Sequence, residues 1–376
     1  MIKPKVVIDS ALRITPQLRA MPVELVPVVG REICNESVLG ADALLTRTVT
    51  RVDEQLLAGS GLKFVGTASA GTDHVDTNYL AENNIAFASA AGCNASAVGD
   101  YVLAAISLCG RLETVTDGAD VGLVGYGHVG RSLANRLTKL GARVKVYDPW
   151  VDNVANGVQA AALKDVLSCS VVSLHAALNK SEPFPSYHMI GVKEAETVGE
   201  GTLFINAGRG GLVTPRAAER LLERGIDVVL DTWPDEPYVP INLLRGVRYG
   251  TPHIAGYSES SKNNATDFLI PALVDALELG CDDIEAEADN REAKVLTNTG
   301  DDLEILSQLL RDIGRIEQDD RDFRNAWKRD QSAATFEMQR SEYAMRQQLE
   351  GLSVSADTAV MPRLACWLKG LGVALV

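Results

Sequence analysis

The chain has 376 residues, of which 46% are hydrophobic and 23% charged, and its formal net charge is −14. That length suits two or three domains with a large core. The charge argues against nonspecific binding to nucleic acid or to an anionic membrane surface, so an anionic substrate needs a local Arg or Lys cluster. The six cysteines, Cys34, Cys93, Cys109, Cys169, Cys281 and Cys366, are scattered. None forms C-x-x-C or a metal-ligand spacing with His, so reduced thiols in a cytoplasmic protein and no metal site are expected. Met1–Val7 leads straight into a strand-like run with no signal-peptide pattern, and apolar Tyr101–Cys109 is too short to span a bilayer.

Residues 1–90 alternate short apolar runs with helical segments. Val6–Ile8, Ala43–Leu45, Phe64–Gly66 and Ala86–Ala88 predict strands; Asp53–Leu57 and Asp76–Glu82 predict helices. That rhythm implies a parallel sheet. Thr46–Val49 and Thr67–Asp73 follow two of these strands. In open α/β sheets ligands bind beyond the carboxyl ends of strands, and small hydroxyl residues offer hydrogen bonds there. The same residues also form turns and cap helices, and the pattern alone does not choose.

Asn94–Arg111 predicts one long apolar helix. Val121–Val124 predicts a buried strand, and Gly125, Gly127 and Gly130 follow in G-x-G-x-x-G spacing. Val129, Leu133, Leu137 and Leu140 recur at helical intervals, Gly141 stops the helix, and a second strand, Val144–Tyr147, ends at Asp148. Gly125 permits the sharp turn, Gly127 lets backbone approach a pyrophosphate, and Gly130 lets the helix lie close on the sheet. Amides near His128 and Val129 would face the phosphates. Asp148 can accept the adenosine ribose hydroxyls and repel a 2′-phosphate, which favours NAD over NADP.

Strands are expected again at Val171–Leu174, Thr202–Ile205 and Asp227–Leu230. Thr214-Pro215 opens a helix that Gly225 closes. Ser258–Gly280 predicts a long helix kinked at Pro271, and Asp282–Asn290 reads as a linker. In the tail, Leu303, Ile305, Leu306, Leu309 and Leu310 give an amphipathic helix, Asp319–Arg324 a charged stretch, and Leu364, Trp367, Leu368 and Leu371 a closing helix. A domain of that size is marginal unless docked or dimerised.

Three further stretches carry chemistry: I-N-A-G-R-G-G (Ile205–Gly211), L-D-T-W-P-D-E-P (Leu230–Pro237) and T-P-H-I-A-G-Y-S (Thr251–Ser258). They supply one Arg, one Glu and one His near strand ends. Arg209 can hold a carboxylate with two parallel hydrogen bonds. His253 can take a hydroxyl proton as hydride leaves the carbon for nicotinamide. Glu236 would stabilise the protonated imidazole and orient it. Each residue alone also has a plainer reading, as a solvated arginine, a structural histidine or a turn glutamate.

Together these stretches resemble the D-isomer-specific 2-hydroxyacid dehydrogenase family over nearly all of residues 1–285. R-T-V-T (Arg47–Thr50), G-T-A-S-A-G-T-D-H-V-D (Gly66–Asp76), A-G-C-N-A (Ala91–Ala95) and H-I-A-G-Y-S (His253–Ser258) are similar to one branch in particular. That branch oxidises 4-phospho-D-erythronate with NAD to (R)-3-hydroxy-2-oxo-4-phosphobutanoate on the way to pyridoxal 5′-phosphate (vitamin B6). The tail, through R-D-I-G-R-I-E-Q-D-D-R-D-F-R (Arg311–Arg324) and its closing helix, resembles that branch's dimerisation domain.

The resemblance implies that Arg209, Glu236 and His253 are catalytic and that Thr48, Thr67 and Tyr257 contact substrate. It implies NAD contacts at His128, Val129, Asp148, Ala207, Gly208, Arg209, Asp231 and Gly256, beside the glycines of the turn. Ala176-Ala177 stands where Thr-Pro is usual, so the cofactor contact at Ala176 loses a hydroxyl; Gly208 stands for Ser, and Pro234 for an acid. For the substrate phosphate, Arg47 is the first candidate and a tail arginine such as Arg346 the second. The expected architecture is α/β. It has two Rossmann-like doubly wound parallel-sheet domains plus a small α+β C-terminal dimerisation domain, divided as 1–95, 96–253, 254–285 and 286–376. Competing readings are another member of the family, such as a phosphoglycerate dehydrogenase or hydroxypyruvate reductase, and an NAD-sensing corepressor-like protein. A regulatory tail would repeat a β-α-β pattern and a corepressor would carry partner-recruiting segments; neither is evident.

Overall fold

The computed structural model describes residues 3–279, 294–296, 300–356 and 362–376. The expected linker Asp282–Asn290 and Cys281 lie outside these. The chain divides into two units, Met1–Asn94 with Glu259–Asp289, and Ala95–Ser258 with Asn290–Val376.

The first unit is built on a five-stranded sheet in the order Glu24–Val28, Lys5–Asp9, Ala43–Thr46, Phe64–Thr67, Ala86–Ser89. All pairings are parallel. Asp53 and Asp76 cap the helices that follow them by accepting from Leu56 N and Tyr79 N, as N-cap carboxylates do. The strand Glu24–Val28 was not expected. Pro27 breaks its pattern, and the fold tolerates Pro27 because this strand is the sheet's edge. The expected kinked helix is instead two helices, Glu259–Asp267 and Ile270–Ala276. Pro271 sits in the first turn of the second, where its missing N–H leaves no bond unmade, so it starts a helix rather than bending one.

The second unit is built on a seven-stranded parallel sheet. Its order is Tyr249–Gly250, Asp227–Leu230, Leu203–Asn206, Val171–Leu174, Asp120–Val124, Arg143–Tyr147, Val158–Ala160. The order reverses at Asp120–Val124, the strand that leads into the glycine turn, which is where a doubly wound sheet opens a crevice. The apolar helix runs over Ala95–Leu108 and is buried along almost its whole length. Helix Pro215–Glu223 begins as expected: Thr214 accepts from Ala217 N, and Gly225 follows at φ 71°.

The tail shares this unit's core rather than standing apart. Leu306, Leu309, Leu310 and Ile313 of helix Asp302–Gly314 pack with the residues of helix Ala95–Leu108, and Trp367 and Leu368 join them. Arg136 pairs with buried Asp100 at 2.6 Å, and Asp100 also accepts from Leu349 N of the tail. The charged stretch Asp319–Arg324 lies inside a helix, Ile316–Arg329, whose Phe323 and Trp327 are fully buried. A small parallel sheet joins Lys294–Leu296, Ser353–Ala356 and Ala374–Leu375. Ser353–Ala356, helix Pro362–Gly370 and Ala374–Leu375 therefore make a single β-α-β crossover among the described residues. No described helix is long and apolar enough to cross a membrane.

Candidate active site

The glycine turn comes first in the second unit. Gly125 has φ 98°, open to glycine alone without strain, and a Cβ there would lie 2.4 Å from Ala176 N. Helix His128–Leu140 begins at Gly127 with no side chain capping its N-terminus. A Cβ on Gly127 would meet nothing within 4 Å, so open space lies against the helix's first amides. Asp148, at the end of the neighbouring strand, accepts from Tyr126 N at 2.7 Å and Trp150 N at 3.0 Å, which fixes its carboxylate beside the turn. Uncapped amides, an open approach and a fixed acid together suit the pyrophosphate and ribose of a dinucleotide.

The strand-end loops carry the rest. Asn206 is buried and ends the strand Leu203–Asn206; its side chain donates to Arg209 O at 3.0 Å and accepts from Gly208 N at 3.2 Å. It shapes the loop that presents Arg209, whose Nη1 donates to Gly208 O. Ala207 is buried within the same loop.

His253 and Glu236 meet directly. His253 Nδ1 lies 2.7 Å from Glu236 Oε1, and both side chains are 27% exposed. Glu236 Oε2 accepts from Trp233 N at 3.2 Å. Burial pushes the Glu236 carboxyl up, but the His253 charge, its hydrogen bonds and the Arg340 charge more than offset this and hold it below its ordinary value. His253 itself has φ 57°, a left-handed backbone that strains a non-glycine residue. Asp231 holds it there. The His253 N–H donates to Asp231 O at 2.8 Å, and the Asp231 carboxylate accepts from Ile254 N, Ala255 N and the Thr251 hydroxyl. Asp231 is fully buried with both oxygens occupied. The structure thus gives it the work of setting the His253 loop, whereas the resemblance implied a cofactor contact.

Tyr257 and Gly256 follow on that loop. The Tyr257 hydroxyl accepts from Arg340 Nη2 at 3.2 Å. Arg340 was not singled out in the sequence; it reaches the site only because Phe323, Trp327 and Phe336 of the tail pack with Trp233 in one aromatic cluster. Arg346, the tail arginine named for the phosphate, is 2% exposed and donates to Ile254 O, Ala97 O and Ala255 O. That sealed position is structural and corrects its candidacy. In the first unit, Arg47 is held by buried Asp9 through bonds of 2.7 and 3.2 Å, so its charge is already balanced. Thr67 is buried and its hydroxyl bonds Ser69 Oγ and His74 Nε2, each at 2.9 Å. Thr48 is exposed in the loop after Ala43–Thr46.

Comparison with known proteins places this geometry. Residues 109–255 match the NAD binding domain of the D-isomer specific 2-hydroxyacid dehydrogenases. The erythronate-4-phosphate dehydrogenase of Pseudomonas putida F1 is 37% identical over 356 residues, 92% of this chain and 93% of that protein. The protein of the same name from Marinomonas sp. (strain MWYL1) is 40% identical over 263 residues, 68% of each chain. Among solved structures, the D-isomer specific 2-hydroxyacid dehydrogenase of Lactobacillus delbrueckii ssp. bulgaricus, complexed with NAD, shares the fold with a TM-score of 0.56 at 21% identity. It covers 73% of this chain and 97% of that one. The TT0316 protein of Thermus thermophilus does so at 0.61 and 22%, over 73% and 97%. With the glycine turn, Asp148 and the histidine–glutamate pair in these places, the chain belongs to the D-isomer specific 2-hydroxyacid dehydrogenase family, on the branch of the erythronate-4-phosphate dehydrogenases, and is an NAD-dependent oxidoreductase.

Proposed function

We propose that the enzyme oxidises 4-phospho-D-erythronate to (R)-3-hydroxy-2-oxo-4-phosphobutanoate, a step toward pyridoxal 5′-phosphate, in the cytoplasm and as a homodimer built through residues 286–376. The observation that carries the chemistry is the 2.7 Å contact between His253 and Glu236; the likeness over more than nine-tenths of the chain to a relative of that name supports the substrate.

In the neutral imidazole, an Nδ1–H donated to Glu236 leaves Nε2 as the basic nitrogen. His253 Nε2 takes the proton of the substrate hydroxyl, and the adjacent Glu236 carboxylate stabilises the imidazolium that forms. In the reverse direction the same nitrogen returns the proton to the ketone oxygen. Arg209 pairs with the substrate carboxylate and sets the carbinol carbon against His253. Gly125, Gly127, His128, Val129, Gly130, Asp148, Ala176, Ala207, Gly208, Arg209 and Gly256 would hold NAD, which would supply the hydride acceptor. Asp231 acts from behind, through the His253 backbone. In the first unit, Thr48 and Thr67 are assigned to substrate.

The test is an assay of the purified protein with NAD and either 4-phosphoerythronate or 3-phosphoglycerate, with a 2-oxo acid supplied to reoxidise retained NADH. A kcat/KM at least about 100-fold higher for 4-phosphoerythronate is expected, the scale a site gains by pairing groups the competitor lacks. Equal or reversed preference would leave the dehydrogenase standing and remove the substrate assignment.

A further inference from the structure

In the proposed substrate the phosphate sits two carbons from the carbon that is oxidised, so a second cation besides Arg209 has to meet it. The tail supplies one. Arg340 ends the helix Ala333–Ser341 and lies against the loop that carries His253 and Tyr257. Its three nitrogens are unequally used. Nη2 donates to the Tyr257 hydroxyl, and Nη1 meets Glu337, whose side chain is 51% exposed, at 3.1 Å. Nε is buried with no hydrogen-bond partner among the described residues. A buried guanidinium N–H left unpaired is costly, and an exposed ion pair such as Glu337 is worth little and easily exchanged.

The alternatives are less suited. Arg346 also has an unpaired Nε, but its side chain is sealed and its other nitrogens are spent on carbonyls. Arg47 is neutralised by Asp9. Arg340 is 25% exposed and is therefore reachable, and the Tyr257 and Phe336 rings lie 5.9 and 5.8 Å from its guanidinium carbon. These rings hold the fork in place and lower the local dielectric, which strengthens a charge-assisted bond to an anion.

We propose that Arg340, together with the Tyr257 hydroxyl, binds the distal phosphate of the substrate and sets the enzyme's preference for phosphorylated 2-hydroxy acids. This rests on the substrate class proposed above. Arg340 is a specificity residue: it acts on the end of the substrate remote from the transferred hydride.

The test compares wild type, R340M and R340K, each with NAD, on 4-phosphoerythronate and on erythronate, and reads the ratio of the two kcat/KM values. R340M is expected to lower that ratio about 100-fold, as loss of a charge-assisted bond to phosphate does. R340K, which keeps the charge but not the planar fork, should lower it about 10-fold. A variant that weakens both substrates equally, leaving the ratio unmoved, would overturn the assignment, because it would mean that Arg340 only supports Tyr257 or Glu236. Should R340M fail to show a cooperative melt, R340K decides by the same ratio. Wild type that does not prefer the phosphorylated acid would defeat the substrate assignment and this inference together. Wild type that does, with the preference intact in R340M and R340K, would defeat this inference alone.

Discussion

His175 and His253 both lie just past strand ends of the seven-stranded sheet, one directly after Val171–Leu174 and the other shortly after Tyr249–Gly250. His175 is half-buried; its Nε2 bonds the Ser173 hydroxyl at 2.9 Å and its buried Nδ1 has no partner among the described residues. Burial alone pushes it down to about 3, so the ring stays neutral at any working pH. His253 is partly exposed, strained in its backbone, and faces a carboxylate at 2.7 Å. The same residue type in near-equivalent places thus does opposite work. The carboxylate partner suits His253 to hold a proton, whereas a buried nitrogen with no partner keeps the His175 ring neutral.

The largest expected effect breaks the His253 side of that contrast. H253Q removes the proton acceptor and should cost about 1,000-fold in kcat, while NAD binding, measured by quenching of protein fluorescence, stays within a few-fold. E236Q keeps a hydrogen-bonding partner but not the charge, and should cost about 100-fold. If E236Q matched wild type in kcat, the pair would be structural and the mechanism wrong.

The His175 side is tested through stability against pH. His175 has a folded-state value of about 3 against an ordinary 6.5. The unfolded state therefore binds its proton first, and the folded state loses about 1.4 kcal/mol per pH unit as pH falls from 6.5 toward 3. H175N removes that term. Its stability deficit relative to wild type, measured by urea unfolding, should shrink at that slope as pH drops from 7 to 4.5. Parallel curves for the two proteins would mean that His175 is not held neutral.

Legibility followed how local each feature's cause is. The dinucleotide turn was readable because Gly125, Gly127, Gly130 and Asp148 answer to rules that act within one strand–helix–strand unit. Arg209, Glu236 and His253 were readable as residue types, and the Glu236–His253 contact as an expectation that the 2.7 Å bond meets; the left-handed backbone of His253 that delivers it was not. Pro27 hid an edge strand, since strand patterns assume a continuous ladder. The helix Ile316–Arg329 hid behind its charges: Asp319 and Asp320 lie on the buried face beside Phe323 and Trp327, where polarity normally marks solvent. Arg340, and the work of Asp231 beneath the His253 loop, were out of reach for a deeper reason. The first approaches Tyr257, and the second is sealed beneath the His253 loop, only through tertiary packing that no spacing encodes.

Asp319 extends the comparison to an acid, with the sign reversed. It is 7% exposed, accepts from the Tyr343 hydroxyl at 2.8 Å, and lies 3.9 Å from Arg315. Burial outweighs these partners and pushes its carboxyl from 3.8 up to about 6. The folded state therefore binds the proton more tightly than the unfolded state, so stability is greatest below pH 4 and is lost as pH rises toward 6, by about 3 kcal/mol in all. Above pH 6 the loss is complete and the curve flattens. D319N keeps an acceptor for Tyr343 and carries no charge, so it should gain on wild type across that window and hold the gain at pH 7. A D319N protein that tracked wild type from pH 4 to 7 would show that Tyr343 and Arg315 already compensate the buried charge, and that enclosure governs His175 for reasons the tail does not share.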